Sequence, residues 1–281
     1  MVVPGVANAQ RAQMVVDNVD HLQPRGCIVF THIRCGEDAQ LDRMLDAGNA
    51  PVAQRCEVYR APNGPGGGYV QHLKRVLPTF IEAASYAWVL MLLDDVNATR
   101  VSLPHLARIA AYNNLSFASP AVHGAHDGVS RPRNATALRA MGAPRGSIGR
   151  VVHRIESFAW LMTPPMFRCL HTLIDTGLNG VGWGYDHWLF LYCRSWPSVN
   201  FKAGVIDSIT VAHGLAGTGE AASSSMFEHT YSRTQAQQAK DSMIADMVRR
   251  GMPRLHLVDH NSHGWLFEPP VSTLAAHARR V

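Results

Sequence analysis

Two adjacent carboxylates, Asp94 and Asp95, follow directly on the apolar run Tyr86-Ala87-Trp88-Val89-Leu90-Met91-Leu92-Leu93. A run of this kind reads as a strand buried on both faces of a parallel sheet. In open α/β sheets ligands gather beyond the carboxyl ends of the strands, so acids placed there face a site and not the core. Two neighbouring carboxylates repel unless solvent or a cation relieves the charge. A hard divalent ion bridging them to phosphate oxygens is one solution; a helix cap or a turn is the ordinary structural alternative. The frame Asp95-Val96-Asn97-Ala98-Thr99 also approaches the pattern of an aspartate-nucleophile phosphohydrolase, but Asn97 stands where that chemistry needs its second acid.

The second half holds two further groups. In Gly182-Trp183-Gly184-Tyr185-Asp186 the glycines allow close backbone approach, Trp183 offers a flat face for a sugar ring, and Asp186 is placed to act on a hydroxyl or to cap the helix that follows. The strand-like Gly204-Val205-Ile206-Asp207-Ser208-Ile209-Thr210 runs on to His213, an imidazole able to join a carboxylate around a cation. The chain has no GxxxxGK(S/T) phosphate loop, and Gly64-Pro65-Gly66-Gly67-Gly68 is not a GxGxxG fingerprint.

The elements that must position these residues follow from periodicity. Residues 1–24 show no clear apolar period and read as an N-terminal arm. Cys27–Ile33 reads as the first strand, with Leu41, Met44 and Leu45 on the helix after it, and Glu57–Arg60 as the next strand. Val70, Leu73, Val76, Leu77, Phe80 and Ile81 fall on one face of a single helix. A helix over 103–112, a strand over 115–118, a long loop over 120–149, helices over 164–175 and 185–193, a strand over 204–210 and a helix over 228–250 complete the order. Alternating β and α elements give an α/β sandwich with a mainly parallel sheet.

Composition narrows the classes. At 281 residues and 47% hydrophobic content the chain can bury one large core. A formal charge of +5 suits an anionic ligand, but basic residues scattered along the chain argue against nucleic acid as the partner. Five cysteines without a CxxC pair read as buried free thiols. No run is long and apolar enough for a membrane span. The chain therefore reads as soluble and cytoplasmic, or lumenal should an anchor precede it.

Taken in order, these blocks resemble the plant and bacterial family described as domain of unknown function 707, which belongs with the GT-A glycosyltransferases. The residues that carry the resemblance are the helix with Lys74 leading to Asp95, Ala118-Ser119-Pro120-Ala121, Glu156 ahead of Phe158-Ala159-Trp160, the block at 182–186 and the block at 204–213. The family's acidic motif usually begins one acid earlier, where this chain has Leu93.

The resemblance implies a GT-A-like (Rossmann-like) α/β/α sandwich, with a catalytic domain over 25–225 and a C-terminal helix and tail over 226–281 on the same domain. It implies transfer of a sugar from a nucleotide-diphosphate sugar, a UDP-sugar ahead of a GDP-sugar, to a hydroxyl of a glycan or other acceptor. A divalent cation, Mn²⁺ or Mg²⁺, would be held by Asp95 and His213. Asp186 would be the general base, and Glu156, Trp183 and Gly184 would meet the acceptor. Thr31, Arg34, Asn63, Lys74 and Asp94 would meet the nucleotide. A non-catalytic nucleotide- or carbohydrate-binding protein of the same fold is the alternative reading.

Overall fold

In the computed structural model the described residues are 1–31, 38–46, 51–60, 69–125, 128–196, 198–214, 233–250 and 264–270. One mixed sheet organises them. Its strands are β1 (Val2–Val6), β2 (Cys27–Thr31), β3 (Cys56–Tyr59), β4 (Val89–Leu92), β5 (Val96–Asn97), β6 (Phe117–His123), β7 (Ser147–Val152), β8 (Ala159–Met162), β9 (Ala203–His213) and β10 (Gly264–Phe267). The order is β10-β7-β9-β6-β8-β4-β1-β2-β3, with β5 paired to β9. β4, β1, β2 and β3 are mutually parallel, as are β6 and β9, while β7 and β8 run against their neighbours. The parallel strands thus end at one common edge.

Helices cover both faces. α1 (Ala9–Leu22), α2 (Ala39–Asp46), α3 (Pro51–Arg55) and α6 (Leu103–Tyr112) lie on one side. On the other are α4 (Tyr69–Arg75), α5 (Pro78–Ala83), α8 (Pro164–Leu173), α9 (Tyr185–Arg194) and α10 (Arg233–Arg249). α7 (Ala135–Ala140) precedes β7. β4 shows how the layers close: Val89 and Met91 pack into one core, Leu90 and Leu92 into the other, as a period of two demands of a strand buried on both faces.

Four expectations change. Residues 1–24 are not an arm. β1 is fully buried between β4 and β2, and α1 buries Ala12, Val15, Val19 and Leu22 at helical spacing. Pro4 and Gly5, which argue against an interior strand, sit where the β1–β2 register shifts, and a bulge accommodates both. The single helix over 70–81 is two helices, because Pro78 has no N–H to continue α4 and instead opens α5, leaving Leu77 and Phe80 exposed. The loop over 120–149 holds the end of β6, α7 capped by Asn134, and the start of β7. Four of the thiols are bonded: Cys27 to Cys56 across β2 and β3, and Cys169 to Cys193 across α8 and α9. No described helix is long and apolar enough to cross a membrane.

Candidate functional site

At the common strand edge, four charged side chains from distant parts of the chain meet. Asp94 and Asp95 leave β4, both only 5% exposed. Arg11, one turn into α1, places Nη1 2.9 Å from Asp94 Oδ1 and Nη2 3.4 Å from Asp95 Oδ2. His213, the last residue of β9, brings Nε2 to 3.3 Å from Asp95 Oδ2. The Gly214 N–H donates to the Asp95 carbonyl at 2.9 Å, which fastens the end of β9 to the acidic pair. The imidazole is held from behind by the Phe158 ring, 4.1 Å between centroids.

The local sequence explains how Arg11 arrives. After the bulge at Gly5, β1 turns so that the Ala7 N–H donates to Asp94 Oδ2 at 3.0 Å. Asn8 then caps α1, its Oδ1 accepting from Arg11 N at 2.9 Å. Both oxygens of Asp94 are therefore used by the β1–α1 turn. Burial pushes its carboxyl up to about 7 against the pull of Arg11, and the neighbouring Asp95 charge adds to the rise.

Asp95 differs. Burial also works against its charge, but the His213 hydrogen bond and charge, with Arg11 beside them, hold its carboxyl below the usual range. His213 is disfavoured as a cation by burial; Asp95, the Gly124 backbone and the Glu156 charge outweigh that and raise it above 6.5. Asp95 Oδ1 is buried and has no hydrogen-bond partner among the described residues. A carboxylate with a spare buried oxygen beside an imidazole is a donor set that suits Mn²⁺, and less well Mg²⁺. No group of three or more His, Cys, Asp or Glu suited to a metal ion occurs among the described residues, so phosphate and water oxygens would complete the sphere.

The second group is built locally. Gly182 and Gly184 have φ of +102° and +92°, a region that favours glycine. A Cβ on Gly182 would fall 2.4 Å from the Tyr69 ring, and one on Gly184 3.1 Å from Lys240 on α10. The turn is thus clamped between α4 and α10, leaving Trp183 43% exposed. Asp186 follows in the first turn of α9, and Arg154 Nε donates to its Oδ2 at 2.9 Å. The Tyr69 hydroxyl donates to the Gly182 carbonyl at 3.0 Å, and its pKa is raised mainly by burial, with the Asp186 charge adding to the rise.

The remaining expected residues lie as follows. Glu156 is buried, its N–H donating to Ser130 Oγ and its carbonyl accepting from Trp160 Nε1. Thr31 is wholly buried at the end of β2, which is not the first strand; the loop after the true first strand is Ala7-Asn8. Lys74 lies about 7.5 Å along α4 from Tyr69 by helical rise, and its Nζ donates to the His171 carbonyl of α8 at 2.5 Å. Arg34 and Asn63 lie outside the described residues. Sequence reasoning missed Arg11. The signal was Asn8 as a cap three residues ahead of it, on a helix hidden by the Pro4-Gly5 strand.

No family model matches the chain, and no curated protein matches it. Among solved structures, S. aureus TarS, residues 1–349 in complex with UDP-GlcNAc, is similar with a TM-score of 0.52 at 11% identity, over 88% of this chain and 66% of that one. GalNAc-T7 with UDP, GalNAc and Mn²⁺ is similar with a TM-score of 0.52 at 14% identity, over 76% of this chain and 42% of that one. The chain thus spans less than two thirds of either structure. The shared feature is the fold, the mixed α/β sandwich of GT-A glycosyltransferases.

Proposed function

We propose that this chain is a glycosyltransferase that moves a sugar from a nucleoside-diphosphate donor to an acceptor hydroxyl with the help of a divalent cation. The observation that carries the reading is Asp95. In a fold shared with sugar-nucleotide enzymes it follows a parallel strand, has one buried oxygen without a hydrogen-bond partner among the described residues, and has His213 at 3.3 Å. TarS was solved with UDP-GlcNAc and GalNAc-T7 with UDP, which supports a UDP-sugar as donor ahead of a GDP-sugar.

Asp95 and His213 would hold the cation, Mn²⁺ or Mg²⁺, which when bound would offset charge developing on the leaving diphosphate. Arg11 and the Ala7 N–H fix Asp94, so Asp94 acts by shaping the pair and not by reaching the ribose. Trp183, exposed on its glycine turn, offers a face to a sugar. Asp186, oriented by Arg154, accepts the proton of the attacking hydroxyl.

The test is a thermal-shift panel of nucleoside diphosphates with and without Mn²⁺, followed by the rate of UDP release from UDP-sugars. Stabilisation by UDP that needs Mn²⁺ and vanishes in Asp95→Asn supports the reading; stabilisation indifferent to both rejects it. A second reading, a binding protein of the same fold without turnover, draws on the engagement of the two Asp94 oxygens by Arg11 and the Ala7 N–H, and of Asp186 by Arg154. It expects the same binding with no UDP release.

A further inference from the structure

The sequence from Gly128 to Arg154 contains Arg131, Arg133, Arg139, Arg145, Arg150 and Arg154 and not one Asp or Glu, in a chain whose whole formal charge is +5. Two of these are spent. Arg150 pairs with Asp207 and Arg154 with Asp186. The other four form no ion pair with a carboxylate among the described residues, and Arg131, Arg139 and Arg145 are exposed. Charge left unbalanced over one stretch of surface favours an anion there.

The stretch is held rigid. Arg150 Nη2 donates to the carbonyls of Val129 and Arg131 at 2.9 and 3.0 Å, and Arg133 N donates to Asp207 Oδ1 at 2.8 Å. The backbone of 129–133 is therefore bolted to a buried ion pair. Arg131 is fixed in turn, its Nε donating to the Ala125 carbonyl at 2.9 Å. It lines a cleft of about 470 Å³ with Val122, His123, Gly124, Ala125 and Pro132, where β6 ends.

That cleft adjoins the candidate site. Gly124 has φ +86°, and a Cβ on it would lie 2.9 Å from the His213 carbonyl. A ligand in the cleft would lie against the strand end that carries His213. Guanidinium groups recognise phosphate and carboxylate in a planar, two-bond manner that neutral hydroxyls cannot match.

We infer that this cleft is the acceptor subsite and that the acceptor carries an oxyanion, a phosphate or a carboxylate, held by Arg131. The inference rests on the glycosyl-transfer reading for the word acceptor, and on the cleft alone for the anion.

The test measures binding of mannose 6-phosphate, glucuronate, mannose and glucose to the full chain by calorimetry, with UDP and Mn²⁺ titrated separately. The anionic sugars should bind about tenfold or more tightly than the neutral ones. The stronger of the two identifies phosphate or carboxylate. Arg131→Gln, an exposed change checked by its unfolding temperature, should remove that preference and leave the affinity for UDP unchanged. Equal binding of neutral and anionic sugars overturns the inference. So does a parallel loss of UDP affinity in Arg131→Gln, which would give the cleft to the donor, or tighter binding of a single-stranded oligonucleotide than of either sugar acid. If the anion preference holds while the chain neither binds UDP nor releases it from a UDP-sugar, the transferase reading fails and the anion site stands.

Discussion

Two buried ion pairs meet strand β9, one near each end of the same short stretch, and they are finished to different degrees. At Asp207 everything is used. Arg150 Nε and Nη2 contact the two carboxylate oxygens at 2.9 Å, the same guanidinium reaches two carbonyls, and Arg133 N supplies a further donor. At Asp95 one oxygen shares Arg11 and His213, while the other is buried with no hydrogen-bond partner among the described residues. Burying a polar atom without a partner costs about 1–3 kcal/mol. Asp207 is fully satisfied, whereas Asp95 Oδ1 has no hydrogen-bond partner among the described residues, and this contrast is what supports the proposal that Asp95 receives a ligand.

The largest effect should come from breaking the finished pair. Asp207→Ala leaves the Arg150 guanidinium buried without its counter-charge, and removing one partner of a buried pair typically costs about 3–5 kcal/mol. Chemical denaturation should show that loss, together with loosening of 129–133 in hydrogen exchange. The double change Arg150→Met with Asp207→Ala should recover part of the stability, since no charge is stranded. A single variant as stable as the parent would end the distinction between the two pairs.

A third pair, Arg154 with Asp186, is part-buried and sits on the glycine turn, not in the core. Asp186→Asn should leave the unfolding temperature and donor binding nearly unchanged while slowing transfer about 10²- to 10⁴-fold, the usual share of a general base. An amide keeps the shape but cannot take the proton. A tenfold loss or less would return Asp186 to capping α9, whose N-cap residue, Gly184, supplies no side-chain hydrogen bond.

How much of this was legible in the sequence follows the same division between local and assembled features. β4, α6, α8, α9 and the glycine turn were readable because each depends on neighbours in the chain: an apolar run, a 3.6-residue period, two glycines around a tryptophan. His213 and Asp95 were placed by the order of motif blocks, and the strand order brings them to one edge. Arg11 was not readable as their partner, since its distance in sequence from Asp94 is bridged only by β1 lying next to β4, and Pro4-Gly5 disguised β1. Lys74 was readable as a cation on a helix but its neighbour was not; the structure places its Nζ on the His171 carbonyl of α8. The disulfides were missed for a related reason. Cys27 and Cys56 become neighbours through the β2–β3 register, which no spacing in the sequence displays.

Asp95→Asn tests the unfinished pair directly. It keeps the shape of the side chain and should fold, but it should abolish Mn²⁺-dependent stabilisation by UDP. For a ligand at 100 times its dissociation constant that stabilisation is about 2.7 kcal/mol in the parent. If the Asp95→Asn variant bound Mn²⁺ and UDP as the parent does, the spare oxygen would have no external partner and the comparison with Asp207 would lose its functional meaning.

The smallest effect is expected at His213, and it separates the two pairs most sharply. Without ligand, His213 supplies counter-charge to Asp95, so His213→Ala should lower the stability of the free protein, though less than Asp207→Ala because Arg11 remains at 3.4 Å. With Mn²⁺ and UDP present, the cation would take over that counter-charge and keep Asp95 and the phosphate oxygens as ligands. Affinity should therefore fall several-fold and not vanish. Saturating Mn²⁺ and UDP should then restore part of the stability lost in His213→Ala and none of that lost in Asp207→Ala, where no ligand stands in for the missing charge. Unfolding temperatures of both variants, with and without the two ligands, give the answer. Equal rescue in both would mean that ligand stabilises the chain generally, and no rescue in either would place the cation away from Asp95.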